Sequence, residues 1–165
     1  MKSKIKKIIY FILFCIVTNA SLLANANAFL EEEAYEFAEF IISISQNINT
    51  PKKGVFCTFG NDHIIKVLVK LNPDIIEIDE HLTNIKLCKM TYISLDKQKW
   101  FKYAGKIFLE NKIATFAIYN GFSLDDNSSI EIQIGRRSFE LLINKKNLKA
   151  NDIKLSPLIT NLVIN

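Results

Sequence analysis

The chain has 165 residues, 49% of them hydrophobic and 23% charged, with a formal net charge of +4. That length fits one domain with a substantial buried core. The charge is concentrated at one end: Lys2, Lys4, Lys6 and Lys7 precede an apolar run, and setting them aside leaves 17 of the 21 Lys and Arg against all 17 Asp and Glu. A nucleic-acid binder needs a basic face to displace counterions from phosphate. The one local basic cluster is Arg136-Arg137 in a turn-like stretch, so no nucleic-acid partner is expected.

Met1–Ala28 has the pattern of a secretory signal, with a lysine-rich start, ten uninterrupted apolar residues from Ile8 to Val17, and the small-residue ends Ala24-Asn25-Ala26 and Ala26-Asn27-Ala28. Cleavage is expected near Ala28, leaving a periplasmic protein. The rival reading is an uncleaved anchor from Ile8 to Ala24, at the short limit of the roughly 17–25 residues a span needs and weakened by Thr18, Asn19 and Ser21. Cys15 follows Phe14, too bulky a neighbour for lipoprotein processing, and leaves with the signal. An oxidising compartment favours pairing the two remaining cysteines, Cys57 and Cys88, although two separate buried thiols would also pack well. Closing a loop of about 30 residues would stabilise the fold by roughly 3–4 kcal/mol in the chain-entropy picture.

In chain order, Leu30, Ala34, Phe37, Ile41 and Ile44 fall at helical spacing, with Glu31, Glu32 and Glu33 in the first turn where the helix dipole favours negative charge. This helix is expected to end near Gln46, and Asn47–Lys53 reads as a loop. Val55–Phe59 reads as a strand, after which Gly60 turns the chain and Asn61 or Asp62 caps a helix stopped by Asn72-Pro73. Ile75–Ile78 is a short strand, Asp79–Leu87 a connector, and Cys88–Ser94 the next strand. Asp96 is expected to cap a helix with Trp100, Tyr103 and Ile107 on one side and Phe101, Ala104 and Phe108 beside them. The aromatic residues of that helix read as core first and as a partner-binding patch second.

Ile113–Tyr119 is apolar on both faces, as a central parallel strand is. Asn120-Gly121 leads into the polar loop Leu124–Ser129. Ile130, Ile132 and Ile134 alternate with Glu131 and Gln133, the period of a half-exposed strand. Gly135-Arg136-Arg137-Ser138 reverses the chain into Phe139–Ile143, Asn144 caps a short helix, and Ser156-Pro157 starts a last one. Strands alternating with helices predict a single layered α/β domain, with a mixed but mostly parallel sheet, helices on both faces and a late β-hairpin.

Catalytic spacing is sparse. No phosphate-binding glycine loop, nucleophile elbow or zinc-protease helix occurs. His63 follows Gly60-Asn61-Asp62 in a βα turn, where α/β domains place ligand sites, but it also reads as a surface residue of the first helical turn. His81 follows Asp79 and Glu80, and three consecutive side chains rarely converge on one metal. The cysteines are not spaced as C-x-x-C, which argues against thioredoxin-like exchange. No catalytic residue, cofactor, metal or small-molecule substrate is expected.

Five segments in order resemble the YfiR family of small periplasmic regulators. They are Tyr35-Glu36-Phe37-Ala38-Glu39-Phe40-Ile41, Val55-Phe56-Cys57-Thr58-Phe59-Gly60, Cys88-Lys89-Met90-Thr91-Tyr92-Ile93-Ser94, Phe139–Ile143 with Asn144, and Lys154-Leu155-Ser156-Pro157-Leu158-Ile159. The match spans residues 34–165, within one YfiR-like domain over 29–165. It departs from the family pattern at Lys89, where His is usual, at Asn127-Ser128-Ser129, where the family has a Gly-Gly loop, and at Pro157, which replaces a second Ser. The resemblance implies a non-enzymatic repressor that binds the periplasmic domain of an inner-membrane diguanylate cyclase, a GGDEF protein. Release would raise cyclic-di-GMP and favour biofilm. It further implies a homodimer, and a Cys57–Cys88 disulfide able to act as a redox latch. The rival expectation is a small-ligand-binding module that feeds a sensor kinase or transporter.

Overall fold

The computed structural model describes residues 31–134 and 138–164. The signal-like segment Met1–Ala28 and the turn residues Gly135-Arg136-Arg137 lie outside the described residues. Helix α1 covers residues 31–46 and leads through β1 (Ile48–Asn49) to β2 (Val55–Phe59), α2 (His63–Leu71) and β3 (Ile76–Ile78). Then come β4 (Cys88–Ile93), α3 (Gln98–Glu110), β5 (Ala114–Ala117), the hairpin strands β6 (Ile130–Ile134) and β7 (Phe139–Ile143), α4 (Lys145–Ala150), β8 (Lys154–Leu155), α5 (Pro157–Thr160) and β9 (Val163–Ile164). Single 3₁₀ turns precede β4, precede α3 and follow β5. Among the described residues no helix is long and apolar enough to cross a membrane.

The main sheet has seven strands in the order β3-β2-β4-β5-β6-β7-β9. The first five run parallel, β7 returns antiparallel to β6, and β9 runs beside β7. The expected α/β class, mostly parallel centre and late hairpin are therefore present. Helices cover both faces. On one side α1 and α2 bury Phe37, Ile41, Ile44, Ile65 and Leu68 against Phe56, Tyr92 and Phe116 of the sheet. On the other, α3 buries Phe101 and Phe108 among Phe59, Ile93 and Ile113. Each such fully buried side chain contributes roughly 1.5–3 kcal/mol of transfer free energy.

The periodic elements form where expected. Asp62 caps α2 by accepting from the Ile65 amide at 2.8 Å, and Asn144 caps α4 by accepting from the Asn147 amide at 3.1 Å. Four readings change. The expected loop at 47–53 contains β1, which pairs antiparallel with β8. The last helix, begun at Ser156-Pro157, ends at Thr160, and Val163 opens β9. Of the two apolar stripes on α3, the one carrying Phe101, Ala104 and Phe108 turns inward, while Tyr103 is 89% exposed. Gly105 explains the choice, because a Cβ there would lie 2.9 Å from Asn127 Cβ, so this face presses on the loop before β6. Glu131, expected on the solvent side of β6, is buried and accepts from the Ser123 amide at 3.0 Å and hydroxyl at 2.9 Å.

Two glycines with positive φ behave differently. Gly60 has φ +117°, and a Cβ there would fall 1.6 Å from Ser94 Oγ, whereas Gly121 has φ +84° and open space around it. Gly60→Ala is expected to cost at least about 3 kcal/mol, combining strain with overpacking. Gly121→Ala is expected to cost about 1–2 kcal/mol from backbone strain alone. Denaturant unfolding of both variants checks the contrast.

Candidate functional site

The centre of the molecule is the seam between β2 and β4. Cys57 and Cys88 form a disulfide across it with their Cα atoms 5.7 Å apart, closing a sequence separation of 31. Strand alternation alone would prevent this bond. Phe56 pairs with Met90 and both pack on the α1–α2 side, so Cys57 faces α3 while residues two apart from Met90 should not. A β-bulge resolves the conflict. Val55 pairs with Cys88 and Phe56 with Met90, leaving Lys89 as the extra residue. The skipped residue turns Cys88 to the α3 side, into the cluster that holds Cys57. Gly54 lets the strands meet there, since a Cβ would lie 2.4 Å from the Leu87 carbonyl oxygen. Both cysteines are fully buried, so a thiol reagent reaches the bond only when the seam opens.

The other end of the seam is a topological switch point. From β2 the chain passes through α2 to β3 on one side, whereas β4 lies on the other side and leads through α3 to β5. Ligand crevices of open α/β sheets form at the carboxyl ends of such strands. Here the protein's own side chains bridge the crevice. Tyr92 donates its hydroxyl to Asp62 Oδ2 at 2.9 Å, and the Asn61 amide donates to Asp96 Oδ1 at 3.2 Å. The Ser94 hydroxyl lies between Asp96 Oδ1 and the Phe59 carbonyl. Asp96, expected to cap α3, thus ties the two turns together, and Lys97 occupies the cap position.

The electrostatics follow from burial and donors. Burial raises the Asp62 carboxyl above its ordinary value, despite bonds from the Ile65 amide and Tyr92 that favour ionisation. Burial and the Asp62 charge push the Tyr92 phenol far up, so it remains a donor. At Asp96 burial works against ionisation, but donors from Ser94 and Asn61 prevail and hold its carboxyl below the usual range. The arrangement is a lock made of satisfied hydrogen bonds.

The other sequence candidates separate. His63 is exposed at the first position of α2, on the rim of a cleft of about 270 Å³ that also touches Asp62, Leu95 and Ile118. His81 is exposed in the β3–β4 connector. Its neighbours diverge: Asp79 accepts from the Thr83 amide and hydroxyl, and Glu80 pairs with Lys97 at 2.6 Å. Among the described residues no group of three or more His, Cys, Asp or Glu side chains is arranged to hold a metal ion. The Asp62–Tyr92 and Ser94–Asp96 contacts escaped sequence reading, although Gly60-Asn61-Asp62 after a strand is a signal for a switch-point turn. No family model matches the chain, and no curated protein matches it in sequence.

The buried disulfide is expected to resist reductant in the folded protein and to yield two alkylated cysteines only when denaturant is added with reductant, as read by mass spectrometry. Cys57→Ser with Cys88→Ser is expected to lose about 3–4 kcal/mol of stability in denaturant unfolding.

The two aspartates predict opposite pH effects. Asp62 is raised in the fold, so its ionisation withdraws stability as pH rises through the raised value. Asp62→Asn keeps an N-cap acceptor and is expected to gain stability relative to the parent over that rise. Asp96 is lowered, so its carboxylate stabilises above the unfolded value of 3.8 and that contribution is lost as pH falls through the lowered one. Asp96→Asn is therefore expected to be destabilised at neutral pH and to converge on the parent in acid, measured by unfolding from about pH 2 to about pH 8.

Proposed function

We propose that this chain is an exported regulator of the YfiR type, which binds the periplasmic domain of an inner-membrane GGDEF protein and holds it inactive. The observation that carries the reading is that the five segments of the resemblance act as joints of one domain. Phe37 and Phe40 of the first segment pack on Phe139 of the fourth, with ring centroids 4.8 and 4.4 Å away. The second and third segments lie on adjacent strands and share the disulfide. Asn144, which ends the fourth, caps α4 and donates to the Asp125 carbonyl at 3.1 Å. Ser156 of the fifth bonds Asn47 at the end of α1 through both its amide and its hydroxyl. Residues scattered over the sequence thus meet at the connections that define the fold, which is what a family-wide pattern needs physically.

The Asn61–Asp96 and Tyr92–Asp62 bonds bridge the turns at the usual ligand position of an α/β sheet and narrow it to the open cleft beside Asp62, Leu95 and Ile118, which agrees with recognition by surface contact. The buried disulfide acts first as a brace, and any redox control would run through opening of the seam. The active form is a homodimer, following the resemblance. A second reading, a small-ligand-binding module, draws on the open clefts beside α1, of about 270 and 370 Å³.

Deleting the gene is expected to raise cellular cyclic-di-GMP, and affinity capture from envelope extract is expected to recover a GGDEF-domain membrane protein. Unchanged cyclic-di-GMP together with a small molecule that copurifies without a protein partner would favour the second reading.

A further inference from the structure

The two clefts beside α1 share Glu33, Phe37 and Ile118, and so adjoin in one groove beneath the Glu33–Phe37 turn of that helix. Large apolar side chains that face water mark its two parts: Leu95 is 57% exposed in one and Ile134 is 64% exposed in the other. Single exposed apolar residues are ordinary, and here one stands in each of the two adjoining clefts. Between them stands Glu33, with no hydrogen bond or ion pair among the described residues, and Asp62 lies in the wall of the same groove. The part that holds Leu95 is therefore mainly apolar, the part that holds Ile134 mixes apolar side chains with Asn120 and Gln133, and Glu33 makes their junction anionic.

We propose that this groove docks an extended peptide segment of the partner, in which two apolar side chains flank an arginine or lysine. The cation sits over Glu33, and the apolar side chains pack against Leu95 and Ile134. The identity of the partner rests on the regulator reading; the chemistry of the segment does not. Form favours a peptide over a compact small molecule. The two open clefts, of about 270 and 370 Å³, share only part of their lining, which suits side chains in series better than one enclosed ligand. Charge disfavours a second copy of this chain. A two-fold contact sets the same patch against itself, and here that would bring the exposed Glu31, Glu32 and Glu36 together with Glu33.

The probe is an acetylated, amidated five-residue peptide, Leu-Ser-Arg-Ser-Leu, with Glu replacing Arg as its control. It is titrated into the mature chain carrying methyl labels on Ile and Leu. The Arg peptide is expected to shift the methyl signals of Leu95, Ile118 and Ile134, the Glu peptide to leave them in place, and Glu33→Gln to weaken binding about three- to fivefold, as a lost ion pair of up to about 1 kcal/mol does. Equal effects of the two peptides would overturn the proposal. So would shifts confined to other surfaces, or no shift at about 5 mM peptide. The same shifts on concentrating the protein alone would overturn it in favour of self-association, and tighter binding of octylamine than of the peptide would do so in favour of a small amphiphile. Envelope capture separates this test from the regulator reading. A Glu33→Arg protein that still captures the GGDEF partner as well as the parent sinks the groove alone. A parent protein that captures none, yet binds the Arg peptide, sinks the regulator and leaves the groove.

Discussion

How closely β4 can approach β2 decides much of the rest of this molecule. Glycine bounds β2 on both sides, and at each glycine the place of a missing Cβ is taken by an atom of the β4 region: the Leu87 carbonyl beside Gly54 and the Ser94 side chain beside Gly60. Between these contacts the strands pair in parallel, with a single bulge at Lys89. The bulge reverses the facing of one residue, and that residue is Cys88. Close approach, bulge and disulfide are thus one arrangement, since the bond forms only if the register slips where Gly54 lets the backbones meet.

The same approach shapes the carboxyl end. With Gly60 tight against Ser94, the turns after β2 and β4 lie near enough for Asp96 to accept from the Asn61 amide and for Tyr92 to reach Asp62. Two carboxylates beside each other in a partly buried turn would repel, and the donors around each limit that cost. Part of the crevice that many α/β domains use for ligands is here spent on holding the sheet together. What stays open lies beneath α1, where the clefts are lined by residues from the strand ends and from the helix.

Much of this architecture is legible in the sequence because it rests on period and punctuation. The apolar runs of β2, β4 and β5, the alternation of β6 and the Asp62 cap all carry local signals. What escapes has no local signal. The strands β1, β8 and β9 have two residues each, too few to display a period, and exist through partners over 20 residues away. The α3 helix offers two adjacent apolar stripes, and which turns inward is decided by distant partners, Phe59 and Phe122 for the aromatic rings and Asn127 for Gly105. Glu131 alternates like a surface residue, but the Ser123 amide and hydroxyl meet it inside. For the candidate site, pairing of Cys57 with Cys88 could be anticipated from compartment and count, whereas the bulge that permits it could not, because nothing in Cys88-Lys89-Met90 announces a skipped residue. Tyr92 and Asp96 look like a core aromatic and a helix cap until the fold sets them beside Asp62 and Asn61.

The position of the cross-link also divides the chain in time. Cys57 and Cys88 are separated by 31 residues and both lie in the first part of the sequence, so both strands of the β2–β4 seam are complete before Asp96 and α3 are added to it. Helix α1 depends on later residues: Phe37 and Phe40 rest on Phe139, and Asn47 meets Ser156 across a separation of 109 residues. Loop closure over the shorter distance is entropically cheaper. In a chain that emerges amino end first, the central strands can therefore offer Phe56 and Tyr92 to the apolar face of α1, while Phe37, Phe40 and Asn47 still wait for partners in the carboxyl-terminal third. This helix is thus covered in two stages, the second set by residues over 90 positions away.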